Sequence, residues 1–167
     1  LARDNRGVTL MLLGRHDEAR PDIEDSLTYF RDEGIIESTV LATLDMALFL
    51  RATGEPERAA ALAEESYARA NRLDSPILRI LTTRCLALFR PPAEQEQLLR
   101  EALALAEAHE RRMDVAGCLF SLAALENDTA ERVRLYNQAA AMLREMEAEA
   151  WLAGRSPADP PLLPMFY

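Results

Sequence analysis

Two histidines, His16 and His109, and two cysteines, Cys85 and Cys118, are the residues most suited to metal ligation or nucleophilic chemistry. Their spacing supports neither. Structural zinc sites place ligand pairs a few residues apart, and these four residues form no such pair. The cysteines stand 33 residues apart and neither belongs to a C-x-x-C motif. They are expected as reduced, buried thiols of a cytosolic protein. His16 falls in a turn between paired helices, and His109 lies near a helix end beside Glu107 and Glu110, so both are expected in structural or surface roles. Acidic residues do cluster: Asp22 with Glu24 and Asp25, Glu64 with Glu65, Glu145 with Glu147 and Glu149. Paired carboxylates perform general acid–base chemistry when a cleft drives their pKa values apart. In a helical chain with 28 acidic residues, such pairs also arise by chance. Glu65 with Arg69, Glu96 with Arg100 and Glu107 with Arg111 have the i,i+4 spacing of solvated helical ion pairs. The basic clusters Arg111–Arg112 and Arg132–Arg134 have Glu107, Glu110, Asp114 and Glu131 as neighbours and are expected as interface or surface charge. No H-E-x-x-H, G-x-S-x-G, kinase, G-x-G-x-x-G or P-loop signature is present. The expectation is a protein that binds and does not catalyse, with no cofactor and no metal.

The balance of charge narrows the partners. The chain has 167 residues, a formal net charge of −9 and a pI near 4.8. A nucleic-acid groove needs clustered positive charge, and an anionic membrane surface attracts basic segments; neither partner is expected. With 49% apolar and 28% charged residues, the chain has the composition of a folded domain. Its apolar runs are too short for a membrane span. It opens on Leu1 with no initiator Met and no apolar signal segment, as expected of a piece of a larger polypeptide or of a chain whose beginning is missing; with the reduced cysteines, the expected location is cytoplasmic.

What must position these residues is helix throughout. Leu, Ala, Glu and Arg, all good helix formers, dominate. Breaks fall at Gly14, Gly34, Gly54, Asp74-Ser75-Pro76, Pro91-Pro92, Arg112 to Asp114 and Asn127-Asp128. They describe eight helices in antiparallel pairs. Ser75 before Pro76 and Glu55 before Pro56 place proline at the first helical position, where its missing N–H costs nothing. Asp128 or Thr129 is suited to cap the last helix, expected from about Ala130 to Ala153 with Gly154 as its stop. Pro21, about one turn into its helix, is expected to bend it or delay its start. A small residue recurs in the second helix of each pair, at Ser26, Ser66, Ala102 and Ala139, with spacings of 40, 36 and 37. An apolar residue precedes each: Ile23, Ala63, Leu99 and Tyr136. Small residues on one face let a neighbouring helix approach closely, which is the physical content of a helical-hairpin array.

These residues resemble tetratricopeptide repeats. The clearest unit is Gly7, Leu10, Leu13-Gly14-Arg15-His16-Asp17-Glu18-Ala19, Ile23, Ser26 and Leu27. The second is Ala47, Leu50, Gly54 to Ala59, Ala63, Ser66 and Tyr67. The third and fourth depart, with Gln95 and Arg132 where alanine would stand. The segment 131–145 is similar to the closing repeat of large MalT-like or LuxR-like bacterial regulators and related signalling ATPases. The resemblance implies an all-α, right-handed solenoid of about four hairpins over residues 1–153, followed by a Pro-rich apolar segment over 154–167. It implies a protein-interaction or regulatory module, with a standalone adaptor or a small-molecule sensor domain as alternatives. The first helix of each pair would line a concave face, with Val8, Met11, Gly117 and Ser121 as further lining and Leu44, Leu48, Arg51, Ile80 and Arg84 as the partner-binding residues; the alternative is that many of the apolar ones are core between neighbouring helices. An apolar groove with arginines beside it suits an amphipathic helix or an extended peptide bearing a carboxylate or phosphate, or another domain of the same polypeptide. For the closing Pro160 to Tyr167, three fates are open: docking on the protein's own last helices, contact with another domain or subunit (a route to self-association), or an extended, polyproline-like tail.

Overall fold

The computed structural model describes residues 2–160, with side chains from Asn5 onward. The described chain is all-helical: α1 (Ala2–Leu12), α2 (His16–Asp32), α3 (Ile36–Ala52), α4 (Pro56–Ala70), α5 (Pro76–Ala87), α6 (Pro92–Ala108), α7 (Arg112–Leu125) and α8 (Thr129–Glu145), followed by a short 3₁₀ turn, Glu149–Leu152. The one β feature among the described residues is an isolated bridge between Ser156 and Asp159. No described helix is long and apolar enough to cross a membrane.

Five of the helix ends share one hydrogen-bond pattern. After α1, α2 and α3, a glycine takes a left-handed conformation: Gly14 at φ 72°, Gly34 at 65° and Gly54 at 87°. The next residue donates back five positions: Arg15 to the Leu10 carbonyl, Ile35 to Phe30 and Glu55 to Leu50, at 2.9, 3.0 and 2.8 Å. This double closure satisfies the last carbonyls of the helix. After α6 and α8 the same closure is built on glutamate, with Glu110 at φ 54° and Glu147 at 55°. There Arg111 bonds the Ala106 carbonyl and Ala148 bonds Leu143, both at 2.8 Å. The left-handed conformation of an L-residue costs about 1–2 kcal/mol, which the captured carbonyls offset.

The glutamate at Glu147 corrects the expected last helix. It ends at Glu145, well short of Ala153, and Trp151 and Leu152 lie in the 3₁₀ turn. The segment after Gly154 also starts differently from an extended tail. Ser156 and Asp159 exchange backbone hydrogen bonds of 3.0 and 3.3 Å around Pro157, and Arg155 holds Asp159 at 2.9 Å. Residues 161–167, and with them the fates considered for Pro160 to Tyr167, lie outside the described residues. Pro21 does not delay its helix, since α2 begins at His16 and carries Pro21 inside it. The expected cap falls to Asp128, whose carboxylate accepts from the Glu131 amide at 2.8 Å.

The described chain forms two units, divided within α5 after Leu78. In the first, α1 packs on α2, α2 on α3 and α3 on α4, and α1 also reaches α3. Gly7 permits the α1–α2 approach: a Cβ there would stand 2.9 Å from Ile23 Cγ1 and 3.0 Å from Asp22 Cβ. Arg6 then clasps the buried Asp22 with two hydrogen bonds, of 2.5 and 2.7 Å. A separate small cluster joins Val40, Ala70 and Leu78. In the second unit α6 packs on α7, α7 on α8, and α8 on the 3₁₀ turn. Its core runs from Ile80 through Leu99, Leu119 and Phe120 to Leu143. Tyr136 meets the Phe120 ring edge-on at 5.4 Å. Tyr136 and Leu143 are both part of this core.

All four small positions are buried: Ser26, Ser66, Ala102 and Ala139. So are the apolar residues preceding them, Ile23, Ala63, Leu99 and Tyr136. Arg132, which replaces an alanine of the pattern, folds back and donates twice to the Glu126 carbonyl, at 2.9 and 2.6 Å, tying down the end of α7.

Candidate interaction site

The five residues expected to line a groove are divided by the structure into a buried set and an accessible set. α3 carries Leu44, Leu48 and Arg51 at i, i+4 and i+7, one stripe of a helix. Because α1, α2 and α4 all pack on α3, most of its circumference is covered. Leu44 is fully buried, Leu48 half-buried and Arg51 exposed. Only the C-terminal end of the stripe is therefore presented to solvent. Arg51 makes no ion pair with a described residue, whereas many of the chain's arginines are engaged. Arg20, for example, lies 4.9 Å over the Phe49 ring and also reaches Glu24 and Glu55.

Ile80 and Arg84, expected to face a partner, are core residues. Ile80 belongs to the apolar cluster of the second unit. Arg84 is 2% exposed and its Nη1 donates to Asp114 Oδ1 at 2.6 Å. Asp114 Oδ2 also accepts from Arg111 Nε at 2.9 Å. This displaces the expected pairing of Arg111 with Glu107. The guanidinium lies against α7 where Gly117 leaves room: a Cβ on Gly117 would be 2.2 Å from Arg84 Nη2 and 2.8 Å from Cζ. Gly117 is thus buried beneath Arg84 and lines no open face. Of the other expected lining residues, Met11 is buried, Val8 and Ser121 are half-buried, and Ser121 spends its hydroxyl on the Gly117 carbonyl at 2.9 Å. Sequence reasoning missed the roles of Asp114 and Gly117. The only local signal was Asp114 three residues after Arg111; nothing in the sequence announces a partner on α5.

The remaining candidates for chemistry are held by packing. His16 stands edge-on to Phe49, with centroids 6.2 Å apart, and helps join α2 to α3. His109 is exposed at the end of α6. Cys85 and Cys118 are buried and form no disulfide. Burial pushes the Cys118 thiol up to about 11, with the Arg84 charge opposing and Asp114 and Glu107 adding to the rise. At neutral pH it is a protonated, poorly nucleophilic thiol. Among the described residues no group of three or more His, Cys, Asp or Glu is placed to hold a metal ion. A cavity of about 90 Å³ in the second unit is lined by Glu96, Arg100, Leu122, Leu125, Glu126, Asn127 and Leu135. It has room for a few waters, well below the several hundred Å³ typical of organic-ligand sites.

The exposed ion pairs are surface support. Glu65–Arg69 and Glu96–Arg100 form as expected, at 3.0 and 2.8 Å. Arg15 holds Glu18, and Arg134 holds Glu131, and the hydrogen bonds lower both carboxyl pKa values from the ordinary range. Arg112 reaches Glu145 on α8. No protein-family profile matches the chain, and no curated protein matches it.

Proposed function

We propose that this chain is a tetratricopeptide-like interaction module that works by binding a protein or peptide, as part of a cytoplasmic regulatory protein, and not by turnover. Its helices would stack as a right-handed array of about four hairpins. The recurrence of buried small residues at Ser26, Ser66, Ala102 and Ala139 supports that arrangement, because each lets two helices approach at the same register position. The observation that carries the binding reading is the end of the α3 stripe. An exposed Arg51 without an ion-pair partner among the described residues sits one turn from the half-buried Leu48. A guanidinium beside an apolar shelf suits a partner that brings an apolar side chain and a carboxylate or phosphate. Arg84 and Ile80 have no part in this contact, since they hold the second unit together.

The test is affinity capture from the source cells with the native chain and with Arg51→Glu. Circular dichroism should show the same helical content for both, since the Arg51 side chain is exposed and makes no ion pair with a described residue. At least one protein should be recovered by the native chain and lost by the variant. Identical sets of captured proteins would remove the Leu48–Arg51 surface from the account.

A further inference from the structure

The corner between α2 and α3 combines exposed apolar side chains with acidic charge that nothing in the described chain answers. Tyr29, Ile35 and Ile36 are 57, 41 and 62% exposed. They lie close along the chain at one corner: Tyr29 is in the last turn of α2, the Phe30 carbonyl accepts the Ile35 amide at 3.0 Å, and Ile36 opens α3. Around them stand Asp32, Glu33 and Glu37, all exposed and none ion-paired with a described residue. The nearest arginine in sequence, Arg31, is directed to Glu65 on α4 at 3.4 Å. Asp32 and Glu33 also occupy the C-terminal end of α2, where the helix dipole is already negative. The N-terminus of α3 opens at Ile36 and opposes that dipole, so the negative charge of the corner is that of the three carboxylates themselves, with Glu37 across the turn.

We propose that this corner docks a cationic amphipathic segment of another protein, its apolar face on Tyr29, Ile35 and Ile36 and its lysines or arginines against Asp32, Glu33 and Glu37. Charge selects this occupant over a second copy of the chain. A symmetric dimer through the corner would bring the same patch against itself, and with it two sets of three carboxylates. A cationic partner meets both the apolar and the acidic requirement, and its association is steered by the overall charge of −9. The corner lies away from Arg51, which selects an anionic group, so this docking and the Leu48–Arg51 contact stand or fall separately.

The probe is a synthetic amphipathic Leu/Lys helical peptide carrying a fluorophore, with a Leu/Glu peptide of the same pattern as its counterpart. Anisotropy is measured against the full chain. The Leu/Lys peptide should bind, more weakly as salt is raised, and the Leu/Glu peptide should not. Binding should weaken at least tenfold in Tyr29→Ser with Ile36→Ser, and again in Asp32→Asn with Glu33→Gln and Glu37→Gln. These positions are exposed, so the helical content of both variants should match the native chain. A control with Glu57→Gln, Glu101→Gln and Glu107→Gln removes as much charge elsewhere and should bind as the native chain does. The proposal is overturned if the corner variants bind like the native chain, if the control loses as much affinity, or if sedimentation shows dimerisation that Ile36→Ser abolishes.

Discussion

Gly117→Ala places one methyl group where Arg84 already is, and its cost can be worked from the contacts. The new Cβ would approach Nη2 to 2.2 Å and Cζ to 2.8 Å, far inside van der Waals contact. The end of an exposed arginine would swing aside at little cost. Arg84 is 2% exposed and bonded to the equally buried Asp114, so moving it separates a buried pair. Removing one partner of such a pair costs about 3–5 kcal/mol. Two effects reduce that figure. Arg111 remains on Asp114 and keeps its charge partly answered. Alanine is also about 1 kcal/mol better than glycine inside a helix. The expected net loss is about 2–4 kcal/mol. Urea denaturation followed by circular dichroism measures it, with the loss expected in the transition of the second unit. Arg84→Met provides the decisive background: with the guanidinium gone, adding Gly117→Ala should be neutral or slightly stabilising. The coupling between the two substitutions should equal most of the Gly117→Ala effect. Equal destabilisation in both backgrounds, or an unchanged midpoint for Gly117→Ala alone, would refute the argument that this glycine exists to admit Arg84.

Two further outcomes follow from the packing. Ala102→Leu and Ala139→Leu should each destabilise by about 1–3 kcal/mol, because both alanines are fully buried and extra methylenes must enter closed helix contacts; unchanged denaturant midpoints would place them outside those contacts. Cys118 should make the fold sensitive to alkali. Its folded thiol keeps its proton up to about 11, while an unfolded thiol loses it near ~8.5. Between those values the native state binds more protons, so stability falls as pH rises. Cys118→Ala should flatten the decline measured by urea denaturation at pH 7 and pH 10, and an unchanged decline would show that Cys118 is not its source.

The helices and their order were legible because they rest on local physics. The helix-forming Leu, Ala, Glu and Arg, the prolines at Pro56, Pro76 and Pro92 and the glycines at Gly14, Gly34 and Gly54 act on the backbone within a turn or two of where they stand. The burial of Ser26, Ser66, Ala102 and Ala139 was legible for a related reason: a small residue recurring at a regular spacing marks a position where packing leaves little room. The end of α8 was not, because Glu147 adopts the conformation that glycine signals, and its stabilising hydrogen bonds become visible only once the turn has formed. The candidate site was legible only in part. A stripe of Leu44, Leu48 and Arg51, or of Ile80 and Arg84, is the same pattern whether it meets solvent or a neighbouring helix. What decided between them was which helices pack against α3 and α5. Burial of Leu44 follows from three helices surrounding α3, and burial of Arg84 from Asp114, 30 residues away in sequence, and from the space above Gly117. Charge pairing over such a separation has no sequence period, so tertiary packing alone determined that Arg84 is buried on Asp114 within the second unit while Arg51 is exposed.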